Sequence, residues 1–138
     1  MQTIDWGPHF WSMIHYTALG YPDSPSPIDR EKYKEFFENL GFILPCKQCS
    51  FNYNRHLREL PIDSYLENKS TLFEWTVKLH NIVNRDTGKT IQYSFDQAWS
   101  KYNRINDKKN NYLIMGVVVL VIFAFIAIVL NKTRLHHK

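Results

Sequence analysis

At 138 residues the chain has room for one modest domain, and an uncharged run from Tyr112 to Leu130 removes part of that length from any globular core. The formal net charge of +4 is carried by the C-terminal end: Lys132, Arg134 and Lys138 follow the run, and up to residue 110 fourteen basic residues face thirteen acidic ones. So balanced a domain argues against nucleic acid as a partner, and the basic tail suits lipid headgroups or membrane topology better than a phosphate backbone.

Hydrophobic spacing along the chain predicts helices and no strand of any length, so the fold class is all-α. A first helix is expected from Pro8, through Phe10, Trp11, Ile14, His15 and Ala18, to a stop at Gly20 and Pro22. The segment YPDSPSP (21–27) is a loop. A second helix is expected to start from Asp29, to carry Tyr33, Phe36, Phe37 and Leu40 on one stripe, and to stop at Gly41. A third opens at CKQC (46–49), between Pro45 and Pro61, and runs to about Glu59, with both cysteines in its first turn. Thr71 and Glu74 form a capping-box pattern for a fourth helix, whose Leu72, Trp75, Leu79, Ile82 and Val83 repeat at helical spacing until Asp86, Thr87 and Gly88. Ser94 and Gln97 repeat that pattern at the start of a short fifth helix, SFDQAWSKYNRI.

The run 112–130 has no charge over 19 residues and at about 1.5 Å per residue spans roughly 28 Å, enough for a transmembrane helix. The start, MQTIDWGPHFWSM, has neither the basic opening nor the apolar run of a signal peptide. The expected organisation is a domain over 1–106, a polar linker over 107–111, the span over 112–130 and a basic tail over 131–138. That describes a single-pass, tail-anchored protein whose domain faces the cytoplasm.

Cys46 and Cys49 are the only cysteines, and a C-x-x-C pair has three readings: a redox dithiol, half of a zinc site, or inert thiols. Zinc needs four ligands, and after His56 no second pair completes the set. The redox reading rests on the positive end of a helix dipole and on Lys47, both of which favour thiolate. A dithiol in a chain without strands is not of the thioredoxin type and needs another electron acceptor. Trp11 and His15 share one face of the first helix, and His80 and Asn84, with Asn81 beside them, one face of the fourth; taken singly each histidine is a satisfied core residue. Two such faces next to a dithiol suggest a pocket for a flat ligand in the mouth of a bundle.

Three motifs then fall in one order: W-G-P-x-F-W-x-x-x-H with Tyr21-Pro22, P-C-K-Q-C at 45–49, and Trp75-x-x-x-x-His80-Asn81-x-Val83-Asn84 ending in Gly88-Lys89. Together, over roughly residues 5–104, they resemble the Erv/ALR family of FAD-dependent sulfhydryl oxidases. The resemblance implies a four-helix bundle with a short fifth helix, usually a homodimer, with FAD between the helices and no catalytic metal. It implies Cys46 and Cys49 as the catalytic pair, and Gly7, Pro8, Trp11, His15, His80, Asn81, Val83, Asn84 and Lys89 as cofactor-binding positions, joined by Trp99 or Tyr102. A substrate thiolate would attack Cys46, Cys49 would pass the electrons to FAD, and O2 would take them as H2O2.

Two departures stand out. Members of the family often carry W-x-C and F-D-C around the H-N element as a structural disulfide, where this chain has Val77 and Gln97. A shuttle disulfide is also missing, so the implied partner is a protein dithiol or a small thioredoxin-like dithiol carrier. The single-CxxC form resembles the oxidases of large DNA viruses, which oxidise virion proteins on the cytosolic side and in virion membranes. The rival reading is a tail-anchored helical adaptor whose C-x-x-C is structural or binds zinc.

Overall fold

The computed structural model describes residues 2–103 and 111–126. Five α-helices follow in order: α1 (Thr3–Leu19), α2 (Pro27–Ile43), α3 (Lys47–Glu59), α4 (Lys69–Asp86) and α5 (Phe95–Tyr102). A turn of 3-10 helix, Ile62–Tyr65, stands between α3 and α4. No strand occurs among the described residues. The main packing pairs are α1 with α4 and α2 with α3; α3 leans on α4, and α5 crosses both α1 and α4.

The sequence explains why each helix starts where it does, though not always at the expected residue. α1 begins five residues before Pro8, so the proline lies inside the helix. Its missing N–H leaves the carbonyl of Ile4 without a helical donor, a small penalty because Ile4 is 80% exposed and water can serve instead. α2 starts earlier as well, from a capping box in which Asp29 is the third helical residue: the Asp29 amide donates to Ser26 Oγ (3.2 Å) and the Ser26 amide to Asp29 Oδ2 (2.8 Å), with Pro27 at the first position. The Ser26 hydroxyl, donating to Asp29 Oδ2 at 2.6 Å, and then the Ser26 amide hold the Asp29 carboxyl below its ordinary value.

Gly41 does not stop α2. It lies inside the helix against α3, where a Cβ would collide with the Asn54 carboxamide, and Ser50 Oγ donates to its carbonyl. The stop comes at Leu44, held extended before Pro45, after which α3 opens with Cys46 as its N-cap. The box of α4 is also displaced: Asn68 and Thr71 form it, the Thr71 amide donating to Asn68 Oδ1 (3.0 Å) and the Asn68 amide to Thr71 Oγ1 (3.1 Å). Glu74 instead pairs with Lys78 at 2.8 Å on the exposed face. The Ser94–Gln97 box forms as expected (3.0 and 3.2 Å).

The core lies where α4 meets the other helices, around Leu72, Phe73, Trp75 and Leu79, with Ile14 and Ala18 from α1 and Phe37 and Leu40 from α2. Its buried polar ends are satisfied by backbone carbonyls: Tyr21 Oη donates to Leu66 (2.9 Å), Tyr53 Oη to Phe37 (2.8 Å) and Trp75 Nε1 to Leu60 (3.0 Å). Val77 is 4% exposed within this core. Gln97 caps α5, so the two positions where the resemblance would put cysteines are filled by packing and by a helix cap.

The chain divides into two compact units, Met1–Tyr102 and Asn103–Lys138. In the second, residues 111–126 are helical with exposed apolar side chains. Among the described residues no helix is long and apolar enough to cross a membrane. The expected span continues over residues 127–130, which lie outside the described residues, as do 104–110 and the basic tail.

Candidate functional site

The dithiol is built by the restart at Pro45. Cys46 and Cys49 are joined as a disulfide, their Cα atoms 5.1 Å apart, and Cys46 Sγ accepts the Cys49 amide at 3.2 Å. Both sulfurs thus sit in the first turn of α3, where one backbone N–H already points at Cys46 Sγ and the helix dipole favours negative charge.

They line a largely apolar cavity of about 350 Å3, with Gly7, Trp11 and Ile14 from α1, Leu40 from α2, and Val83 from α4 among its walls. Two residues of that wall carry a buried ring nitrogen without a hydrogen bond, Trp6 Nε1 and His56 Nδ1, the latter 3.7 Å from Glu59 Oε2. His56 is 1% exposed; its Nε2 lies 3.4 Å from Asp86 Oδ2, and Asp86 also takes Arg55. A mainly apolar cleft with a few polar side chains at its edge suits a ligand with polar edges on a flat apolar body.

A second cavity, of about 490 Å3, adjoins the first through Thr3, Gly7, Trp11 and Thr87, which line both. Its walls are different in kind: Pro8, His80, Asn84, Tyr93 and Tyr102, with Lys89 and Lys101 as cations. The two volumes are within the usual range for small-molecule and cofactor clefts. Trp11, which lines both, makes the partition and stacks on His80 of the larger cavity at 3.9 Å and 3°.

Lys89 reaches the wall because Gly88 takes φ +71°, a left-handed turn that ends α4 and lets the Lys89 amide bond the Asn84 carbonyl at 2.8 Å. The two asparagines of the motif fasten the next residues along α4. Asn84 Nδ2 donates to the Ile91 carbonyl (3.0 Å), while Asn81 both donates to the Tyr93 carbonyl and accepts its amide (2.8 Å each).

Behind the partition is a hydrogen-bonded row. His15, 1% exposed, has Nδ1 2.8 Å from Thr76 Oγ1 and Nε2 3.1 Å from His80 Nδ1. Burial first, then the neighbouring His80 and Lys101, push the His15 pKa down to about 3; burial, then Lys101 and Lys89, push His80 down to about 4. Both imidazoles are therefore neutral near pH 7.

Of the expected residues, Cys46, Cys49, Gly7, Trp11 and Val83 line the smaller cavity, and Gly7, Pro8, Trp11, His80, Asn84, Lys89 and Tyr102 the larger. His15, Asn81 and Trp99 line neither. His15 stands behind His80, both ends of the Asn81 side chain are spent on Tyr93, and Trp99 packs on Phe73 (5.2 Å) and Phe95 (5.3 Å), whereas Tyr102 approaches His15 at 4.5 Å. Lys101, Tyr93, Trp6 and the His56–Asp86 pair are wall residues that the sequence did not single out as such. Trp6 stood inside the W-G-P motif; the others carry no local signal, since only tertiary packing brings them to the wall. Among the described residues no cluster of three or more His, Cys, Asp or Glu could hold a metal ion.

The sequence matches the profile of the Erv1 / Alr family over residues 8–110. It is 39% identical over 92 residues to a protein of Acanthamoeba polyphaga mimivirus named a probable FAD-linked sulfhydryl oxidase, covering 66% of this chain and 64% of that one, just under two thirds of its length. It is 33% identical over 107 residues to the FAD-linked sulfhydryl oxidase of African swine fever virus, covering 76% and 82%. The fold is similar to the crystal structure of the FAD-binding domain of Erv1 from Saccharomyces cerevisiae, with a TM-score of 0.68 at 24% identity over 74% of this chain and 94% of that one. With a profile match over most of its length, a helical frame of the same kind and a C-x-x-C disulfide on the wall of its cleft, this chain belongs to the Erv1 / Alr family.

Proposed function

We propose that the chain is an FAD-linked sulfhydryl oxidase that takes electrons from a dithiol through Cys46–Cys49. The observation that carries this reading is the Cys46–Cys49 disulfide on the wall of an apolar cavity that adjoins a second one lined by Lys89 and Lys101, in a member of this family. The adaptor reading is not favoured, because it leaves the cavity at the disulfide and the adjoining cationic cavity without a use.

The residues fit the cofactor. The dithiol cavity suits a flat ring with polar edges, near Trp6, Trp11, His56 and Val83, and Lys89 with Lys101 supplies charge for a diphosphate. When bound, FAD supplies a two-electron acceptor that O2 turns over to H2O2. A substrate thiolate attacks Cys46 Sγ and breaks the Cys46–Cys49 bond, releasing the Cys49 thiolate; a second substrate thiolate then resolves the mixed disulfide, releasing the Cys46 thiolate and leaving the substrate oxidised. The first turn of α3 stabilises both leaving thiolates by its dipole and its amides. Gly7, Trp11 and Val83 line the cavity beside Cys49 and would give a bound ring an apolar wall. The purified protein should be yellow and should consume O2 when given a protein dithiol; a colourless protein with no such activity would overturn the assignment.

The same reading extends to partners and placement. With one dithiol pair in the chain, the substrate is a protein dithiol or a small dithiol carrier. The uncharged run 112–130 and the exposed apolar side chains of its helical part support a membrane anchor. A domain facing the cytoplasm, where thiols are otherwise kept reduced, would need such an oxidase for disulfides in virion proteins. Homodimerisation is carried over from the family and is testable by sedimentation of the purified chain.

A further inference from the structure

Three side chains of α1 and α4 form a row that ends on the wall of the larger cavity, and only one arrangement of protons satisfies it. Thr76 Oγ1 lies 2.7 Å from the Phe73 carbonyl, an oxygen that can only accept, so the hydroxyl proton points there. The same Oγ1 lies 2.8 Å from His15 Nδ1 and has no second proton to give, so His15 Nδ1 must donate. A neutral His15 then has a bare Nε2, which at 3.1 Å takes a proton from His80 Nδ1. A neutral His80 is left with a bare Nε2. The reverse direction would set Thr76 Oγ1 against the Phe73 carbonyl with no hydrogen between two oxygens. Trp11, stacked on His80 at 3.9 Å, holds the ring plane. Lys101 and Lys89 are the cations that act on these imidazoles, and both oppose their protonation.

We propose that Thr76 is a positioning residue: through His15 it fixes His80 in the Nδ1–H tautomer, so that the cavity presents a hydrogen-bond acceptor and selects a cofactor N–H or O–H donor. The inference rests on the oxidase reading for the identity of the ligand, but the tautomer itself can be read without activity.

The test is nitrogen NMR of the full chain, labelled at histidine and carrying whatever flavin it is purified with. In the wild type and in Thr76→Ser, the His80 signals should report a protonated Nδ1 and a bare Nε2. In Thr76→Val, which keeps the shape and removes the acceptor, His15 and His80 should populate the other tautomer, and FAD affinity by fluorescence titration should fall about tenfold, the worth of one hydrogen bond. Unchanged tautomers in Thr76→Val would overturn the proposal. So would a protonated Nε2 on wild-type His80, a result that does not depend on any variant folding. A chain that holds no FAD yet shows the expected tautomers would instead sink the oxidase reading alone.

Discussion

Cys46 and Cys49 share one turn of helix, and the proposed chemistry gives them different work. If the substrate reaches Cys46 and the cofactor side belongs to Cys49, then Cys46→Ser should keep the yellow colour and lose turnover with protein dithiols entirely; persistent O2 consumption with a protein dithiol would refute the order. The pair was legible in the sequence because a C-x-x-C after a proline needs nothing distant to define it. His15 was legible as a residue but not as a position, since whether it faces a ligand or stands behind His80 is decided by how α1 meets α4. The same two histidines govern acid behaviour. Their folded pKa values, about 3 and about 4, lie below the ordinary 6.5, so between pH 4 and 6.5 the unfolded chain binds more protons than the folded one. Stability should therefore be fully present above 6.5 and fall as pH is lowered through that window. Urea midpoints measured across it should drop, and drop less in His15→Asn; a flat profile would contradict the burial argument.

Among the helices, type and order followed from periodicity, and the boundaries departed for physical reasons. Two capping patterns three residues apart competed at the start of α4, and Asn68–Thr71 won because Asn68 sits on an extended backbone ahead of the helix. Asn68→Ala should cost about 1 kcal/mol by removing that cap, whereas changing Glu74 should cost less, as it makes only a surface ion pair. Gly41 looked like a helix stop because glycine often is one. Here it is the point where α2 and α3 approach too closely for a side chain, a tertiary fact with no local signature. Gly41→Val should destabilise the domain by about 1–3 kcal/mol, read as a lower urea midpoint; an unchanged midpoint would mean that Asn54 moves aside freely. The 3-10 turn at Ile62–Tyr65 was not anticipated, being too short to show a period.

For the molecule as a whole, the domain and the apolar run are separate units, and their roles can be tested separately. In the domain the Cys46–Cys49 pair is the one disulfide among the described residues, Val77 is packed into the core and Gln97 caps α5. Apolar burial is therefore its main support, and reducing agents should leave its urea midpoint nearly unchanged; a large drop would show that the Cys46–Cys49 bond also braces the fold. The full chain should stay with the membrane fraction after an alkaline wash, and a chain ending at residue 110 should not. The central claim is that electrons pass from a dithiol through Cys46–Cys49 into a bound flavin. Its most direct test is anaerobic mixing of the purified full chain with a protein dithiol while the flavin absorbance is followed. The account predicts that the wild-type colour bleaches, while Cys49→Ser stays yellow and unbleached; bleaching at the wild-type rate in Cys49→Ser would contradict it.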